Sequence, residues 1–396
     1  MKVGKSVGMV IFILPMRAMF TKLLRKTNGR PVIKEIDGLR GLAILAVLFS
    51  HFNLHLTKAS GLDETFLYSQ PVSRFLELCG NGVSIFFCIS AFILSIPFIE
   101  QYLYNKPAVE LKQYYLRRLT RLEAPYLLVL TALFLFQILL MSESFRESLP
   151  HYISSFFYSH NIVYGRRSTI NPVAWTLEIE IQFYLLLPLL VKIFLIKRVV
   201  IRRCLMLILA IASGYLYARL DNFFIHAHLQ YSVFTYLPVF LIGFLLADLY
   251  LAYQHLLRQT SFVWDAAFIT GFVLIIYCNG DTRFYMQLLE YMGYPMLFIG
   301  AFKGIFSNKI FTKNWIILIG GMCYSIYLLH YAILFFLIDH VTARWLTYNY
   351  YKDLLLQGII VLPIILLIST VFYLLIEKPC MDRQWPKKLW SRLLKH

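Results

Sequence analysis

The sequence predicts an all-α, polytopic membrane protein in which about ten transmembrane helices surround a polar central shaft. Composition is the first observation: 59% of the 396 residues are hydrophobic and only 15% are charged, whereas a soluble domain carries about 25% charged residues. The second is that apolar runs long enough to cross a bilayer recur along the whole chain. The third is that the first of these runs, residues 36–52, contains an arginine and a histidine.

Apolar runs divide the chain into three predicted parts. Residues 1–35 form a basic extension that is cytoplasmic or interfacial, 36–379 form the transmembrane domain, and 380–396 form a basic amphipathic cytoplasmic tail. Within the domain we expect ten spans, at 38–56, 80–99, 122–141, 173–195, 204–220, 231–250, 262–278, 286–302, 315–337 and 353–376.

The net charge of +17 does not indicate nucleic-acid binding, because the basic residues follow the predicted topology. With the N-terminus inside, 27 of the 38 Lys and Arg residues fall in cytoplasmic segments, 8 in outer segments and 3 within spans. This asymmetry is the positive-inside pattern of membrane proteins. It predicts an integral membrane protein with both termini in the cytoplasm, whose basic residues contact anionic lipid headgroups.

The first span carries Arg40 and His51, which are eleven residues apart. Eleven residues are about three helical turns, so both side chains project from nearly the same face, roughly 16 Å apart along the axis. A charged side chain in the bilayer costs about 2.5–3.5 kcal/mol and usually faces a bundle interior or a water-filled cavity. We therefore expect this helix to form one wall of a polar shaft.

Small and basic residues mark the next two spans. Ser84 and Ser90 of the second span would let a ligand or a neighbouring helix approach closely. Arg117, Arg118 and Arg121 precede the third span, and Arg118 and Arg121 are i, i+3 neighbours that can hold one phosphate group from two sides. The alternative is that these arginines only anchor the span to lipid headgroups.

The fourth span contains two glutamates, Glu178 and Glu180, whose side chains point about 200° apart around the helix. One face carries Trp175 with Glu178, and another carries Glu180 with Tyr184. Because carboxylates are costly in the membrane, at least one of them should be functional. Helix geometry leaves open which of the two faces the shaft.

The ninth span carries Tyr327 and His330, three residues apart on the helix. At a rise of 1.5 Å per residue, His51, Glu180 and His330 all lie about 20 Å from the cytoplasmic edge of the membrane. The sequence thus predicts a shaft with a cationic inner mouth and a level of histidine and glutamate above it. It shows no cluster with metal-ligand spacing, so we predict no metal site.

Two functions fit such a shaft. A proton-coupled transporter would use histidine and glutamate as a proton relay and would need no phosphate-binding arginines. A transmembrane acyltransferase would bind acyl-CoA at the cationic mouth, with His51 as the general base for an acceptor hydroxyl. The residues alone do not choose between the two.

Six sequence blocks occur in a characteristic order. They are D-G-L-R-G-L-A-I-L-A-V-L-F-S-H-F, G-V-S-I-F-F-C-I-S-A-F, the R-R-x-x-R block at 117–121, W-T-L-E-I-E-I-Q-F-Y, Y-S-I-Y-L-L-H and a terminal E-K-P. Together they resemble the acyltransferase-3 family of integral membrane acyltransferases, from about Ile36 to Pro379. The resemblance implies ten core helices in a bacterial cytoplasmic membrane. It also implies transfer of an acyl group, commonly acetyl, from cytoplasmic acyl-CoA to a hydroxyl of a cell-surface carbohydrate or lipid-linked saccharide.

Matching positions carry the family's roles onto this chain. The resemblance implies that His51 is the catalytic histidine and Arg40 the functional arginine of the first span. It implies that Arg118 and Arg121, beside Arg117, handle the coenzyme, which is a co-substrate and not a permanently bound cofactor. In the expected mechanism His51 takes the proton of the acceptor hydroxyl, and a transient acyl-histidine is the alternative route.

The resemblance also selects Glu180 over Glu178, and it matches His330 to the histidine that closes the ninth-span block. With His330, the other residues expected to line the shaft are Ser84, Ser90, Trp175, Tyr184 and Tyr327. The chain departs from the family pattern at Ala91, Ala124, Thr176 and Cys323. None of these departures removes a titratable group that the mechanism needs.

Overall fold

The computed structural model describes residues 32–62, 64–219, 227–281, 283–347, 349–382 and 385. These residues form helices and connecting turns, with no strand among them, which confirms the predicted all-α fold. Most of the predicted N-terminal extension and of the predicted C-terminal tail lies outside the described residues.

We number the helices in chain order. The first half contains α1 (Lys34–Ala59), α2 (Glu64–Ser69), α3 (Pro71–Leu78), α4 (Val83–Tyr104), α5 (Leu111–Leu140), α6 (Phe145–Phe156), α7 (His160–Tyr164) and α8 (Trp175–Leu190). The second half contains α9 (Val199–Ala218), α10 (Val233–Tyr253), α11 (Phe262–Cys278), α12 (Phe284–Lys303), α13 (Ile305–Phe311), α14 (Asn314–Gly321), α15 (Cys323–Leu334) and α16 (Tyr350–Phe372). π-Helical turns extend α15 through Phe335–Thr342 and α16 through Tyr373–Glu377.

Seven helical segments of the described chain are long and apolar enough to cross a membrane. They are Lys34–Ala59, Pro71–Tyr104, Leu111–Leu140, Val199–Ala218, Val233–Leu257, Cys323–Trp345 and Tyr350–Cys380. α11 is a shorter apolar helix of 17 residues, and α8, with 16 residues, is too short for this group. The fold is therefore a multi-span membrane bundle, although these seven segments are fewer than the ten predicted from the apolar runs.

The bundle has two ends that matter for the site. We call the end where α4 finishes and α5 begins the basic end, because Arg117, Arg118 and Arg121 lie there on the first turns of α5. We call the opposite end, where residues 141–174 connect α5 to α8, the loop end. α5 begins at Leu111, well before its predicted start, so the three arginines belong to the long helix itself.

Helix α1 lies at the centre of the packing and contacts α3, α4, α14, α15 and α16. Glycines allow the closest approach: a Cβ added at Gly41 would lie 2.6 Å from the carbonyl oxygen of Ile316. A Cβ added at Gly320 would lie 1.8 Å from the carbonyl oxygen of Asp37. Only glycine lets α1 and α14 pack backbone against backbone in this way. This contact holds the start of α1, and with it Arg40, in place.

Helix α9 is attached to α10 by a buried ionic group. Asp248 accepts hydrogen bonds from Arg202 at 2.9 Å and from Arg203 at 2.7 Å, and Arg202 and Asp248 are almost fully buried. Removing one partner of such a group leaves a buried charge unpaired, which is strongly destabilising. These residues therefore hold the bundle together, and none of the three lines the cavity described below.

Candidate active site

A cavity of about 1290 Å³ runs through the bundle, walled mainly by α1, α4, α5 and α8. Its lining extends from Lys106, Arg117 and Gln254 at the basic end to Glu77 and Arg167 at the loop end. Ligand pockets are usually about 300–1,000 Å³, so this space can hold a long ligand or two ligands that meet inside it. The predicted polar shaft corresponds to this cavity.

The cavity brings together most residues that sequence reasoning singled out. Those on its wall are Arg40, His51, Ser90, Arg117, Arg118, Arg121, Trp175, Glu180, Tyr184 and Tyr327. Two residues expected on the wall are not there. Ser84 is buried and donates a hydrogen bond to the carbonyl oxygen of Asn81, and His330 lies behind His51. The reason is helix geometry, because each of these two side chains points into the helix packing and away from the cavity.

A pair of histidines joins α1 to α15. His51 Nδ1 lies 2.8 Å from His330 Nε2, and the two rings are nearly parallel, with an angle of 23° between their planes. The ring of Tyr331 meets that of His51 edge-on, with 5.3 Å between centroids. His330 is fully buried, whereas His51 lines the cavity. The pair thus places one imidazole at the wall and a second one directly behind it.

Hydrogen bonding assigns the tautomers of both histidines. His330 Nδ1 lies 2.9 Å from the carbonyl oxygens of Ile326 and Tyr327, which can only accept, so Nδ1 carries a proton. In neutral His330 the Nε2 atom is then an acceptor, and His51 must donate to it from Nδ1. His51 Nε2 is left with a lone pair and has no hydrogen-bond partner among the described residues. This is the protonation state of a general base or a nucleophile.

Glu180 is held in the cavity wall by two hydroxyl groups. Its Oε1 atom accepts a hydrogen bond from Ser90 Oγ at 2.8 Å and a short one from the Tyr184 hydroxyl, one helical turn further on. The ring of Tyr184 in turn lies 5.8 Å from the guanidinium carbon of Arg118. The carboxylate therefore orients the aromatic ring against which one of the basic-end arginines packs.

Arg118 and Arg121 face the cavity and form no ion pair with a carboxylate among the described residues. Arg118 packs against the rings of Tyr114 and Tyr184, at 5.6 and 5.8 Å from the ring centres. The Nε atoms of both arginines are buried and make no hydrogen bond, and neither side chain forms an ion pair, within the part of the chain that the structure describes. Buried polar groups are normally satisfied. These two guanidinium groups are thus available for an anionic ligand, while Arg117 is exposed at the rim.

Arg40 sits in the wall with its charge partly balanced. Its Nη1 atom donates to Oδ1 of Asp37 at 2.8 Å, and Asp37 itself is almost fully buried. The pair is i, i+3 on α1, so both residues lie on one helix face. A buried carboxylate fixes this guanidinium in one position, in contrast to the arginines of α5.

Glu178 and Glu180 point to different places. Glu178 is fully buried, and its Oε2 atom accepts a hydrogen bond of 2.8 Å from the backbone N–H of Asn161 in α7. Asn161 also donates from Nδ2 to the carbonyl oxygen of Trp175. Glu178 therefore attaches the loop end to the start of α8, whereas Glu180 faces the cavity. Tyr327 donates to the carbonyl oxygen of Val173, just before α8, at 2.6 Å.

Sequence reasoning missed five charged residues of the cavity, which are Glu77 and Arg167 at the loop end and Glu100, Lys106 and Glu110 at the basic end. Glu77 is in the last turn of α3, and Arg167 lies in the loop before α8, with its guanidinium carbon 5.6 Å from the centre of the Trp175 ring. Both follow or precede a span at the loop end, where charged residues are common. That position alone does not distinguish a cavity residue from a solvated one.

Comparison with known proteins supports an acyltransferase. A family model described as an acyltransferase domain, Acyl_transf_3, matches residues 33–374. The O-acetyltransferase OatA of Staphylococcus aureus (strain NCTC 8325) is 26% identical over 383 residues, which cover 90% of this chain and 58% of that protein. The peptidoglycan O-acetyltransferase OatA of Listeria monocytogenes (serovar 1/2a) is 28% identical over 178 residues, or 42% of this chain and 25% of that protein.

This chain spans little more than half the length of the Staphylococcus relative it matches. No solved structure matches it. The family model covers most of the transmembrane domain and favours an acyltransferase over a proton-coupled transporter. The predicted resemblance is confirmed, and the chain belongs to the acyltransferase-3 family.

Proposed function

We propose that this protein is a membrane O-acetyltransferase of the bacterial cell envelope. It takes an acetyl group from acyl-CoA at the basic end, on the cytoplasmic side of the inner membrane, and transfers it to a hydroxyl of a glycan or lipid-linked saccharide at the loop end. The names of the relatives support the acetyl group and the glycan acceptor, since one is an O-acetyltransferase and another a peptidoglycan O-acetyltransferase. The positive-inside asymmetry supports the orientation, with both termini in the cytoplasm.

The observation that carries the proposal is the position of His51. Its unprotonated Nε2 faces one cavity, which begins at arginines without an ion-pair partner among the described residues and ends at the loop end. A donor and an acceptor can therefore enter from opposite ends and meet at one base. Neither substrate has to cross the membrane for the acetyl group to do so.

The chemical step follows from the tautomer of His51. Its Nε2 accepts the proton of the acceptor hydroxyl while the hydroxyl oxygen attacks the carbonyl carbon of the thioester. The resulting imidazolium keeps its Nδ1–H hydrogen bond to His330, which stabilises the charged form. When the tetrahedral intermediate collapses, the C–S bond breaks and His51 returns the proton to the leaving thiolate. The products are an O-acetyl ester and free CoA, and His51 is neutral again.

The basic end suits the phosphate groups of CoA. Arg118 and Arg121 offer guanidinium groups that form no ion pair among the described residues, and planar guanidinium groups bind phosphate through two parallel hydrogen bonds. Arg117 adds a third cation at the rim. Arg40, fixed by Asp37, lies further along α1 toward His51 and is placed to contact the coenzyme within the cavity. In this proposal acyl-CoA is a co-substrate, and no permanently bound cofactor takes part.

Acetyl transfer by the purified protein tests the proposal. The protein in lipid nanodiscs is given acetyl-CoA with a radiolabelled acetyl group and soluble peptidoglycan fragments, and labelled glycan is separated by chromatography. We expect the wild-type protein to transfer label and His51→Ala to reduce transfer at least 1,000-fold, because the base is lost. A matched control is His340→Gln, which changes an exposed histidine outside the cavity. Full transfer by His51→Ala would overturn the mechanism, and no transfer by the wild-type protein to any envelope glycan would overturn the function.

A further inference from the structure

The loop-end part of the cavity carries polar and aromatic groups that the chemical step does not use. Glu77, Asn81, Arg167, Trp175 and Tyr236 all line it. They come from α3, the turn before α4, the loop before α8, α8 itself and α10. These five residues, which we call the loop-end chamber, lie on the side of His51 opposite the arginines of α5.

Glu77 is attached to α1 beside His51 and has an unsatisfied side-chain oxygen. Ser50, the residue before His51, donates from Oγ to the carbonyl oxygen of Glu77 at 3.2 Å. A Cβ added at Gly80 would lie 2.7 Å from the same Oγ, so this segment packs tightly on α1. The Oε2 atom of Glu77 is buried and has no hydrogen-bond partner among the described residues. An unsatisfied buried oxygen is costly, and a ligand hydroxyl that donates to it would remove that cost.

Arg167 supplies the complementary donor. Its guanidinium packs on the ring of Trp175, and no carboxylate of the described chain forms an ion pair with it. Its positive charge acts electrostatically on both His51 and Glu77. The guanidinium therefore lies on the side of the cavity from which the acceptor would reach His51. Arginine presents five N–H donors in a fixed plane, so it can bind several oxygens of one ligand at once.

Aromatic rings form the apolar side of the chamber. The ring centres of Trp175 and Tyr236 are 6.1 Å apart with 40° between the planes, and Phe87 lies 4.6 Å from Tyr236. A pyranose ring has polar hydroxyls around its edge and apolar C–H groups on its faces. Aromatic faces match those C–H groups, while hydroxyls are bound by carboxylate, amide and guanidinium groups. The chamber offers both kinds of surface.

We propose that the loop-end chamber binds one pyranose ring of the acceptor glycan. Trp175 and Tyr236 contact a face of the sugar, Glu77 Oε2 accepts a hydrogen bond from one hydroxyl, and Arg167 donates to ring or hydroxyl oxygens. Because Glu77 and Arg167 carry opposite charges, the chamber suits a neutral sugar better than an anionic one. This inference rests on the proposed function, since it names the class of acceptor that meets His51.

Binding of a neutral oligosaccharide to the purified full-length protein tests the chamber. The probe is chitotetraose, measured by isothermal titration calorimetry. Glu77→Gln and Arg167→Gln should each weaken binding at least tenfold. Their matched controls, Glu147→Gln and Arg166→Gln, change charged loop-end residues that do not line the cavity and should stay within twofold of wild type. Arg167 is exposed, so Arg167→Gln carries the test even where Glu77→Gln fails to fold.

Two results overturn this proposal. One is that the wild-type protein does not bind chitotetraose, and the other is that Arg167→Gln binds it as tightly as its control, Arg166→Gln. Failure of the proposed function has a separate signature, namely that the wild-type protein releases no CoA from acetyl-CoA with any glycan acceptor.

In a steady-state assay with chitotetraose as acceptor, we further expect the acceptor KM to rise at least tenfold in Arg167→Gln. The KM for acetyl-CoA should change less than twofold.

Discussion

The two ends of the cavity are built on different principles. At the basic end, Arg118 and Arg121 carry charges of one sign, lie three residues apart on one helix and have no carboxylate partner among the described residues. At the loop end, Glu77 and Arg167 carry opposite charges, lie 90 positions apart in the chain and accompany aromatic rings. The first arrangement suits a negatively charged ligand. The second suits the shape and hydroxyl groups of a neutral ligand.

Under the proposed function, this difference would keep two substrates apart within one cavity. A nucleotide thioester gains most from concentrated positive charge, which the loop end lacks because Glu77 balances Arg167. A neutral sugar carries no charge for the arginines of the basic end to attract. In the proposed mechanism the two substrates meet at His51, so mutations at each end should affect different kinetic parameters.

The largest effect is expected between the two ends, at His330. His330→Leu removes the acceptor of the His51 Nδ1–H, so His51 loses its fixed tautomer and kcat should fall by about 100-fold to 10,000-fold. His330→Gln can still accept that hydrogen bond through Oε1 and should retain kcat within about tenfold. The KM of both substrates should stay nearly constant in steady-state assays. Equal losses in the two variants would show that His330 only fills space.

A smaller effect is expected at the basic end. Replacing Arg118 and Arg121 by alanine should raise the KM for acetyl-CoA at least tenfold, because each charge-assisted hydrogen bond to phosphate is worth about 1.5–3 kcal/mol. The KM for the acceptor should not change. Lys192→Ala, which removes an exposed basic residue outside the cavity, is the control. A donor KM that stays constant in the double variant would leave these arginines with only a topological role.

Mutations at the loop end should lower the stability of the protein more than they change the KM for acetyl-CoA. Glu178→Ala removes the acceptor of the Asn161 N–H and should destabilise the protein by about 2–3 kcal/mol, since a buried donor is left unsatisfied. Glu178→Gln keeps an acceptor at this place and should lose less. Thermal unfolding in detergent reports the difference as a lower Tm. An unchanged Tm for Glu178→Ala would contradict the view that Glu178 attaches the loop end to α8.

The smallest effect is a pH dependence confined to the loop end. Burial, together with the charges of His151 and Arg166, lowers the pKa of His160 to about 4, although the hydrogen bond to the carbonyl oxygen of Arg166 opposes the shift. In the unfolded chain this pKa is about 6.5. Between these values only the unfolded state binds the proton, so stability should fall as the pH decreases from about 6.5 to about 4. Tm measured across this range should decrease less in His160→Gln. A drop of the same size in the variant would assign the pH dependence to other groups.

Local periodicity made several features of the site predictable. Arg40 and His51 share a face of α1 because eleven residues are three helical turns, and Arg118 and Arg121 are neighbours because they are three residues apart. Each of these relations depends only on the geometry of one helix. By contrast, the choice between Glu178 and Glu180 could not come from their spacing, which only shows that they point apart. The resemblance favoured Glu180, and the structure places it in the cavity with Ser90 and Tyr184.

The sequence by itself determined the class of fold, the polar face of α1 and the cationic cluster on α5. These follow from hydropathy and from helical geometry, which act over a few residues. Only the tertiary structure decided that His330 lies behind His51, where it sets the tautomer of His51. The tertiary structure also decided that Ser84 faces away from the cavity and that Glu77 and Arg167 line the same loop-end chamber. Those facts depend on how distant segments pack against each other. No local rule sets the rotation of one helix relative to another, whereas side-chain packing and close glycine contacts do.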